Sequence, residues 1–249
     1  MAISHLLLDI EGTTCPVSFV AEVLFPYARQ QMGGYLRAHG HTPEVAALLD
    51  DVAESWRADP HPAAQALLAG CSPATTPAER VLPYLDWLIA NDVKLTALKD
   101  LQGRIWRTGY ASGALVAPLF ADVPPALQRW QQQGLVLAVY SSGSVPAQQL
   151  LYGHTQAGNL CQLFSHWFDT RSGSKHEGSS YRGIAAAMGC EASAVLFISD
   201  ALAELHAAAT AGMACLFSDR DGNPSRDNGP FARISDYSQL TLPDDAHGS

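Results

Sequence analysis

Basic residues are scarce in this chain. Its 249 residues hold 15 Lys and Arg against 24 Asp and Glu, a formal net charge of −9, and the basic residues form no run. With no positive surface to neutralise a phosphate backbone or an anionic bilayer, nucleic acid and membrane are not expected partners. Long apolar runs are lacking as well. None approaches the roughly 20 residues that cross a bilayer, and no secretory apolar segment precedes Asp9. Cysteine is sparse and scattered, at Cys15, Cys71, Cys161, Cys190 and Cys215. An odd count without C-x-x-C spacing reads as free thiols in a reducing compartment. No H-E-x-x-H signature occurs, so zinc has little support. What remains, at 47% hydrophobic and 16% charged residues, is an acidic globular protein expected in the cytoplasm as a monomer.

The first ordered feature is Leu6-Leu7-Leu8-Asp9-Ile10-Glu11-Gly12-Thr13-Thr14, a short apolar strand ending in two acids and a turn. A buried acid at a strand end costs free energy unless it is paired or holds a cation, and acids two residues apart in extended chain return to one side. Helical patterns follow over about 18–39, 43–57, 62–69, 77–91 and 96–110. The clearest start is Thr76-Pro77-Ala78-Glu79, with Thr as N-cap, Pro at the first helical position and Glu completing a capping box. Thr42-Pro43 repeats the first two parts of that signal.

From Pro124 the rhythm becomes helix and strand in alternation. Strands are expected at 135–140, 166–168, 195–198 and 213–217, with helices at 124–133, from Pro146, at 179–188 and at 202–211. This predicts an α/β fold with a Rossmann-like, right-handed, mainly parallel sheet. The all-helical block after strand one reads as an insertion, a cap candidate over 16–110 within a core of 1–15 and 111–249. The stretch 219–229 and the tail after Leu242 are expected to be exposed.

In open α/β sheets ligands collect where parallel strands end. Here those ends carry Asp9 and Glu11, then Ser141-Ser142-Gly143-Ser144, then Lys175, then Ser199-Asp200. Each has an ordinary reading: a turn and helix cap for the serines, a solvated side chain for Lys175, a helix cap for Asp200. Their joint occurrence in this order points to phosphoryl transfer. A phosphate ester resists anionic nucleophiles, so an attacking Asp9 needs a divalent cation and a cationic side chain to offset charge. Magnesium takes oxygen ligands, which Asp9, Glu11 (side chain or main chain) and Asp200 could supply. Ser141 and Ser142, just before a helix, could hold phosphoryl oxygens, and Lys175 could face the remaining one.

The order Asp9-x-Glu11-Gly12-Thr13, Ser141, Lys175, Asp200 resembles the haloacid dehalogenase superfamily of phosphohydrolases, whose opening motif is D-x-D-G-T. Glu11 departs from that pattern and points to the enolase-phosphatases, or acireductone synthases, of methionine salvage. Leu24-Phe-Pro-Tyr-Ala28, Gln102-Gly-Arg-Ile-Trp106, Asp122-Val-Pro-Pro-Ala-Leu127, Tyr140-Ser-Ser-Gly-Ser-Val145, Phe168-Asp-Thr170 and Ser180-Tyr-Arg182 extend the likeness. His206 and the loop around Asn223 depart from it. The resemblance implies a haloacid dehalogenase-type core with an inserted helical cap and one Mg²⁺ per chain. It also implies enolisation and then hydrolysis of 2,3-diketo-5-methylthiopentyl-1-phosphate. The catalytic residues would be Asp9, Glu11 and Lys175, the phosphate contacts Ser141, Ser142 and Lys175, and the metal ligands Asp9, Glu11 and Asp200. Glu11 is the acid/base candidate, with its role open between proton transfer and metal binding alone. A phosphatase or phosphotransferase for another small ester would keep the same motifs. A metal-free dehalogenase would not need Asp200, and a silent binding protein would be expected to lose Asp9 or Lys175.

Overall fold

Six strands lie parallel in the order β3-β2-β1-β4-β5-β6, with β1 His5–Leu8, β2 Val136–Tyr140, β3 His166–Phe168, β4 Val195–Ser199, β5 Ala214–Ser218 and β6 Ala232–Ile234. The computed structural model describes residues 2–71 and 76–241. β1 is central and pairs with β2 on one side and β4 on the other, Leu8 lying opposite Val139 and Ile198. The chain therefore leaves β1 in both directions across the sheet, which is where such sheets place their ligand crevice. A strand buried on both faces must be apolar throughout rather than alternating. Leu6, Leu7 and Leu8 are accordingly fully buried, each worth about 1.5–3 kcal/mol relative to exposure.

The chain divides into two compact units, Met1–Val20 with Val116–Ser249, and Ala21–Leu115. Among its described residues the first holds the sheet and the α-helices α6 Val123–Gln132, α7 Val145–Gly153, α8 Gly178–Ala187 and α9 Leu202–Thr210. Its core includes Leu7, Ala138, Tyr140, Tyr181, Ile184, Phe197, Leu205 and Phe217.

The second unit is helical among its described residues: α1 Phe25–His39, α2 Pro43–Ala58, α3 Pro62–Ala69, α4 Pro77–Ala90 and α5 Thr96–Ala111. Met32, Leu36, Leu49, Val52, Trp56, Leu85 and Leu101 form its core, and Trp56 stacks on Tyr84 at 5.1 Å. The Thr76–Glu79 capping box is complete, with the Glu79 amide donating to Thr76 Oγ1 at 3.2 Å and the Thr76 amide to Glu79 Oε2 at 3.1 Å. Thr42 differs from expectation. Its hydroxyl donates backwards to the His39 carbonyl at 2.9 Å and caps nothing. The helix expected from about residue 18 starts there, but its first stretch, Phe19–Leu24, is π-helical. Pro26 explains this, since it has no N–H for the Glu22 carbonyl and its ring crowds that oxygen.

Two corrections concern the end of the chain. Asp219 and Arg220 are buried, although the 219–229 stretch is polar enough to read as exposed, because each is neutralised by a partner of opposite charge. The short edge strand β6 carries no pattern that announces it. The tail after Leu242 lies outside the described residues. Among those residues no helix is long and apolar enough to cross a membrane, and all five cysteines are free thiols.

Candidate active site

Asp9 comes directly after β1, and its amide donates to the Ile198 carbonyl of β4 at 3.0 Å, so the sheet ladder fixes its backbone. The chain then reverses. The amides of Thr13, Thr14 and Cys15 all converge on the Ile10 carbonyl, and the Gly12 amide donates to the Cys15 carbonyl. Gly12 has φ +66°, a conformation that favours glycine. It also makes room: a Cβ there would land on the Asp200 carboxylate and lie 2.8 Å from Asn223 Oδ1.

Asp9 and Lys175 are both buried, and Lys175 Nζ donates to Asp9 Oδ1 at 2.7 Å. The same ammonium meets Glu204 Oε2 at 2.7 Å and sits 5.6 Å from the centre of the Tyr140 ring. Burial opposes its charge, but Asp9 and Glu204 more than offset that, so its pKa stands above the ordinary lysine value. Tyr181 fixes the loop beneath by donating its hydroxyl to the Lys175 carbonyl at 2.9 Å. Lys175 is thus an internal counter-ion rather than a solvated side chain.

Asp200 comes after β4 and is half-buried. Burial first and then the charge of Asp9 push its pKa up to about 7. It caps no helix; the N-cap of α9 is Ala201, whose amide donates to Ser199 Oγ at 3.1 Å. Glu204, one turn along α9, accepts from Ser199 Oγ at 3.0 Å. Its pKa is raised, again by burial first and Asp9 next. No sequence motif singles out Glu204. Its one signal is the spacing, an acid four residues after Asp200 in the first turn of a helix, where acids are common for dipole reasons alone.

At the end of β2, Ser141 is buried and its amide donates to the Phe168 carbonyl of β3 at 3.2 Å. Its hydroxyl accepts from the Gly143 amide at 3.3 Å, while Ser142 is half-buried. Ser144 makes no side-chain cap on α7. Asp169, to which the sequence assigns no role, supplies it from the end of β3, with the Val145 amide donating to Asp169 Oδ2 at 3.1 Å. That amide is therefore committed within the protein. Cys15 is buried, and burial and Glu11 push its thiol up to about 12, which suits a packed and unreactive side chain.

Asp9, Glu204 and Asp200 interact electrostatically with one another or with the single ammonium of Lys175, so negative charge is in excess. Asn223 Oδ1, beside Asp200 around Gly12, is buried without a hydrogen-bond partner. Excess carboxylate and an unpartnered oxygen make an all-oxygen donor set that suits a hard dication. Among the described residues no three His, Cys, Asp or Glu side chains are already gathered as a metal cluster. Magnesium does not require one, since it keeps several waters and uses one or two carboxylates. The residues fit the ion on that footing.

A family model for haloacid dehalogenase-like hydrolases matches residues 3–212. The enolase-phosphatase E1 of Synechococcus sp. (strain RCC307) is 54% identical over 219 residues, covering 88% of this chain and 86% of that one. The enolase-phosphatase E1 of Synechococcus sp. (strain WH7803) is 48% identical over 241 residues, covering 96% and 100%. Among solved structures, the UTR4 protein of Saccharomyces cerevisiae matches with a TM-score of 0.75 at 34% identity, over 96% of this chain and 100% of that one. CbbY from Rhodobacter sphaeroides in complex with phosphate shares the fold, with a TM-score of 0.55 at 18% identity and 96% of each chain covered.

Proposed function

We propose that this chain, which belongs to the haloacid dehalogenase-like hydrolases and within them to the enolase-phosphatase E1 family, converts 2,3-diketo-5-methylthiopentyl-1-phosphate to the acireductone 1,2-dihydroxy-3-keto-5-methylthiopentene and phosphate. The observation that carries the reading is the buried Asp9–Lys175 contact of 2.7 Å just past the central strand. A carboxylate held there by an ammonium has the position and counter-charge of a phosphoryl acceptor.

In this reading a carboxylate oxygen of Asp9 attacks phosphorus and the ester P–O bond breaks, leaving an aspartyl-phosphate. The leaving oxygen takes a proton from Glu11. Water then attacks the acyl phosphate, gives its proton back to Glu11 and releases phosphate with Asp9 restored. Lys175 offsets charge on the phosphoryl oxygens, and Ser141 and Ser142 orient them. The Ser141 hydroxyl accepts from Gly143, which leaves its own proton to donate. Enolisation comes first, as a proton moves from carbon to a carbonyl oxygen, and Glu11 is the side chain assigned to carry it; left ionised by that transfer, Glu11 takes up a proton from solvent before it serves as the acid of the phosphoryl step. Asp9, Asp200 and an oxygen of Glu11 would hold one Mg²⁺, which when bound supplies positive charge for the phosphoryl group. The helical unit is the inserted cap of this arrangement. The net charge of −9 suits a small-molecule enzyme working as a cytoplasmic monomer.

Asp9→Asn tests the central role. The variant is expected to release no phosphate from the diketone phosphate while enol absorbance still develops at least in part with magnesium. Phosphate release at the parent rate would overturn the assignment of Asp9. A panel of other phosphate esters, each hydrolysed as fast as the diketone phosphate, would overturn the substrate.

A further inference from the structure

The Gly12, Thr13 and Thr14 carbonyls of the turn after Asp9 are bonded from outside the turn. They are held from the far end of the core unit. The Gly12 carbonyl accepts from Ser218 Oγ at 3.1 Å and from Asn223 Nδ2 at 2.9 Å. The Thr13 carbonyl accepts from the Tyr237 hydroxyl at 3.0 Å, and the Thr14 carbonyl from the Phe120 amide at 3.1 Å. Tyr237 is fully buried and is itself gripped. Its amide donates to Asp122 Oδ2 at 2.7 Å, and its carbonyl accepts from Arg129 at 2.7 Å. Its ring lies 5.3 Å from Trp130 and 4.4 Å from the Arg220 guanidinium. Arg220 is sandwiched by Phe120 on its other side at 4.6 Å and makes paired bonds to Asp122 at 2.9 and 2.8 Å. A buried, doubly bonded Arg–Asp pair of this kind is rigid, and breaking it is costly.

We infer that Ser218, Asn223 and Tyr237, braced by Arg220 and Asp122, form a clamp that positions the Gly12–Thr14 turn for catalysis. The Gly12 and Thr13 peptides set where Glu11 and Asp9 stand relative to Asp200. Amides of the turn are spent on Ile10 and Cys15, so only its carbonyls are available to an outside brace. Each takes one. Burial pushes the Tyr237 hydroxyl pKa upwards, so it remains a donor throughout the working pH range. Ser218 and Tyr237 touch no reacting atom in this scheme and are positioning residues; Asn223 braces Gly12 through Nδ2 at 2.9 Å, while its Oδ1 belongs to the donor set beside Asp200. The clamp rests on the phosphohydrolase reading for its purpose, while its geometry stands apart from the identity of the substrate.

Tyr237→Phe is the decisive variant, because it keeps the ring between Trp130 and Arg220 and removes only the hydroxyl that donates to Thr13 and also meets the Ser218 and Arg220 side chains of the clamp. Expected is a fall in kcat of at least fivefold, about 1 kcal/mol at 1.36 kcal/mol per decade, with KM for the diketone phosphate within twofold of the parent. A smaller fall in kcat overturns the clamp. Ser218→Ala, which removes one of the two bonds to the Gly12 carbonyl, should show the same split between kcat and KM, and an unchanged kcat in both variants overturns the clamp even if one folds poorly. Amide hydrogen exchange gives a measure independent of turnover: in Tyr237→Phe the amides of residues 12–15 should exchange at least fivefold faster while those of α6 do not. Unchanged protection at 12–15 overturns the inference. If the parent itself releases no phosphate from the diketone phosphate, the proposed function fails, and the exchange experiment still decides the clamp.

Discussion

Lowering the pH from 8 to 6 should weaken magnesium binding about tenfold through Asp200 alone. Burial and the charge of Asp9 push the Asp200 carboxyl up to about 7, so the group titrates where most carboxylates are fully ionised. Only its ionised form can serve as a ligand. With a pKa near 7, about nine-tenths is ionised at pH 8 and about one-tenth at pH 6. Apparent affinity should therefore rise by close to one decade between those values and level off above. One decade corresponds to about 1.4 kcal/mol. The sign is set by the direction of the shift: a carboxyl raised in the metal-free protein must lose its proton to bind, so acid competes with the metal and base does not. Glu204, also raised, steepens the same dependence if the ion draws off its proton too.

Calorimetric titration of the metal-free protein with MgCl₂, repeated in two buffers of different ionisation enthalpy, measures both consequences. About half a proton per bound ion should be released through Asp200 at pH 7, rising towards one at pH 6 and falling towards none at pH 8. Asp200→Asn, which cannot ionise, should bind weakly and lose this part of the pH dependence. An affinity flat within threefold from pH 6 to 8 in the parent, with no proton released, would refute the charge crowding that burial and Asp9 are held to create.

Two further substitutions probe the same charges and the turn. Lys175→Met removes the ammonium that bridges Asp9 and Glu204 at 2.7 Å each; breaking a buried pair of this kind costs about 3–5 kcal/mol, and phosphate release should disappear. Glu204, whose pKa burial and Asp9 already raise, then loses the charge that held it down, so stability is retained at low pH and lost as pH rises; urea unfolding should give a larger deficit at pH 8 than at pH 5.5, and an equal deficit at both would contradict this. Gly12→Ala puts a methyl group against Asp200 at φ +66°, with a backbone cost of about 1–2 kcal/mol. The protein should fold with lowered stability and bind magnesium at least tenfold more weakly, which denaturation and the same calorimetry would check.

Most elements were legible because their patterns are local. The apolar run Leu6–Leu8 has the composition of a strand with both faces covered, and Thr76 with Glu79 announces a helix start through bonds within one turn. Thr42-Pro43 shows the limit of that signal, because its hydroxyl is taken by the His39 carbonyl that the preceding helix leaves open. β6 was not legible since only Ile234 of its three residues is buried, too little to form a period. Asp219 and Arg220 were misread for the opposite reason. Polarity alone suggests exposure, and the partners that permit burial stand elsewhere, Asp122 being far away in the sequence from Arg220.

The site divides along the same line. Asp9, Ser141 and Asp200 stand just beyond the carboxyl ends of parallel strands, positions that the topology marks without any contact being known. Lys175 lies on a loop and is legible only through its place in that order. Charge balance, in contrast, is a property of the assembled site. Glu204 looks like an ordinary first-turn acid until Lys175 is seen to bridge it to Asp9, and Asn223 and Tyr237 acquire meaning only through carbonyls more than two hundred residues away, at Gly12 and Thr13. The consequence is chemical as well as descriptive. One ammonium stands among three carboxylates, Asp9, Glu204 and Asp200; its charge lowers the pKa of Glu204 and of Asp200, but burial and Asp9 outweigh it and both are driven above the ordinary carboxylate range. An arrangement that needed only a stable core would not keep that charge. One that must receive a dication and a phosphoryl group has a reason to.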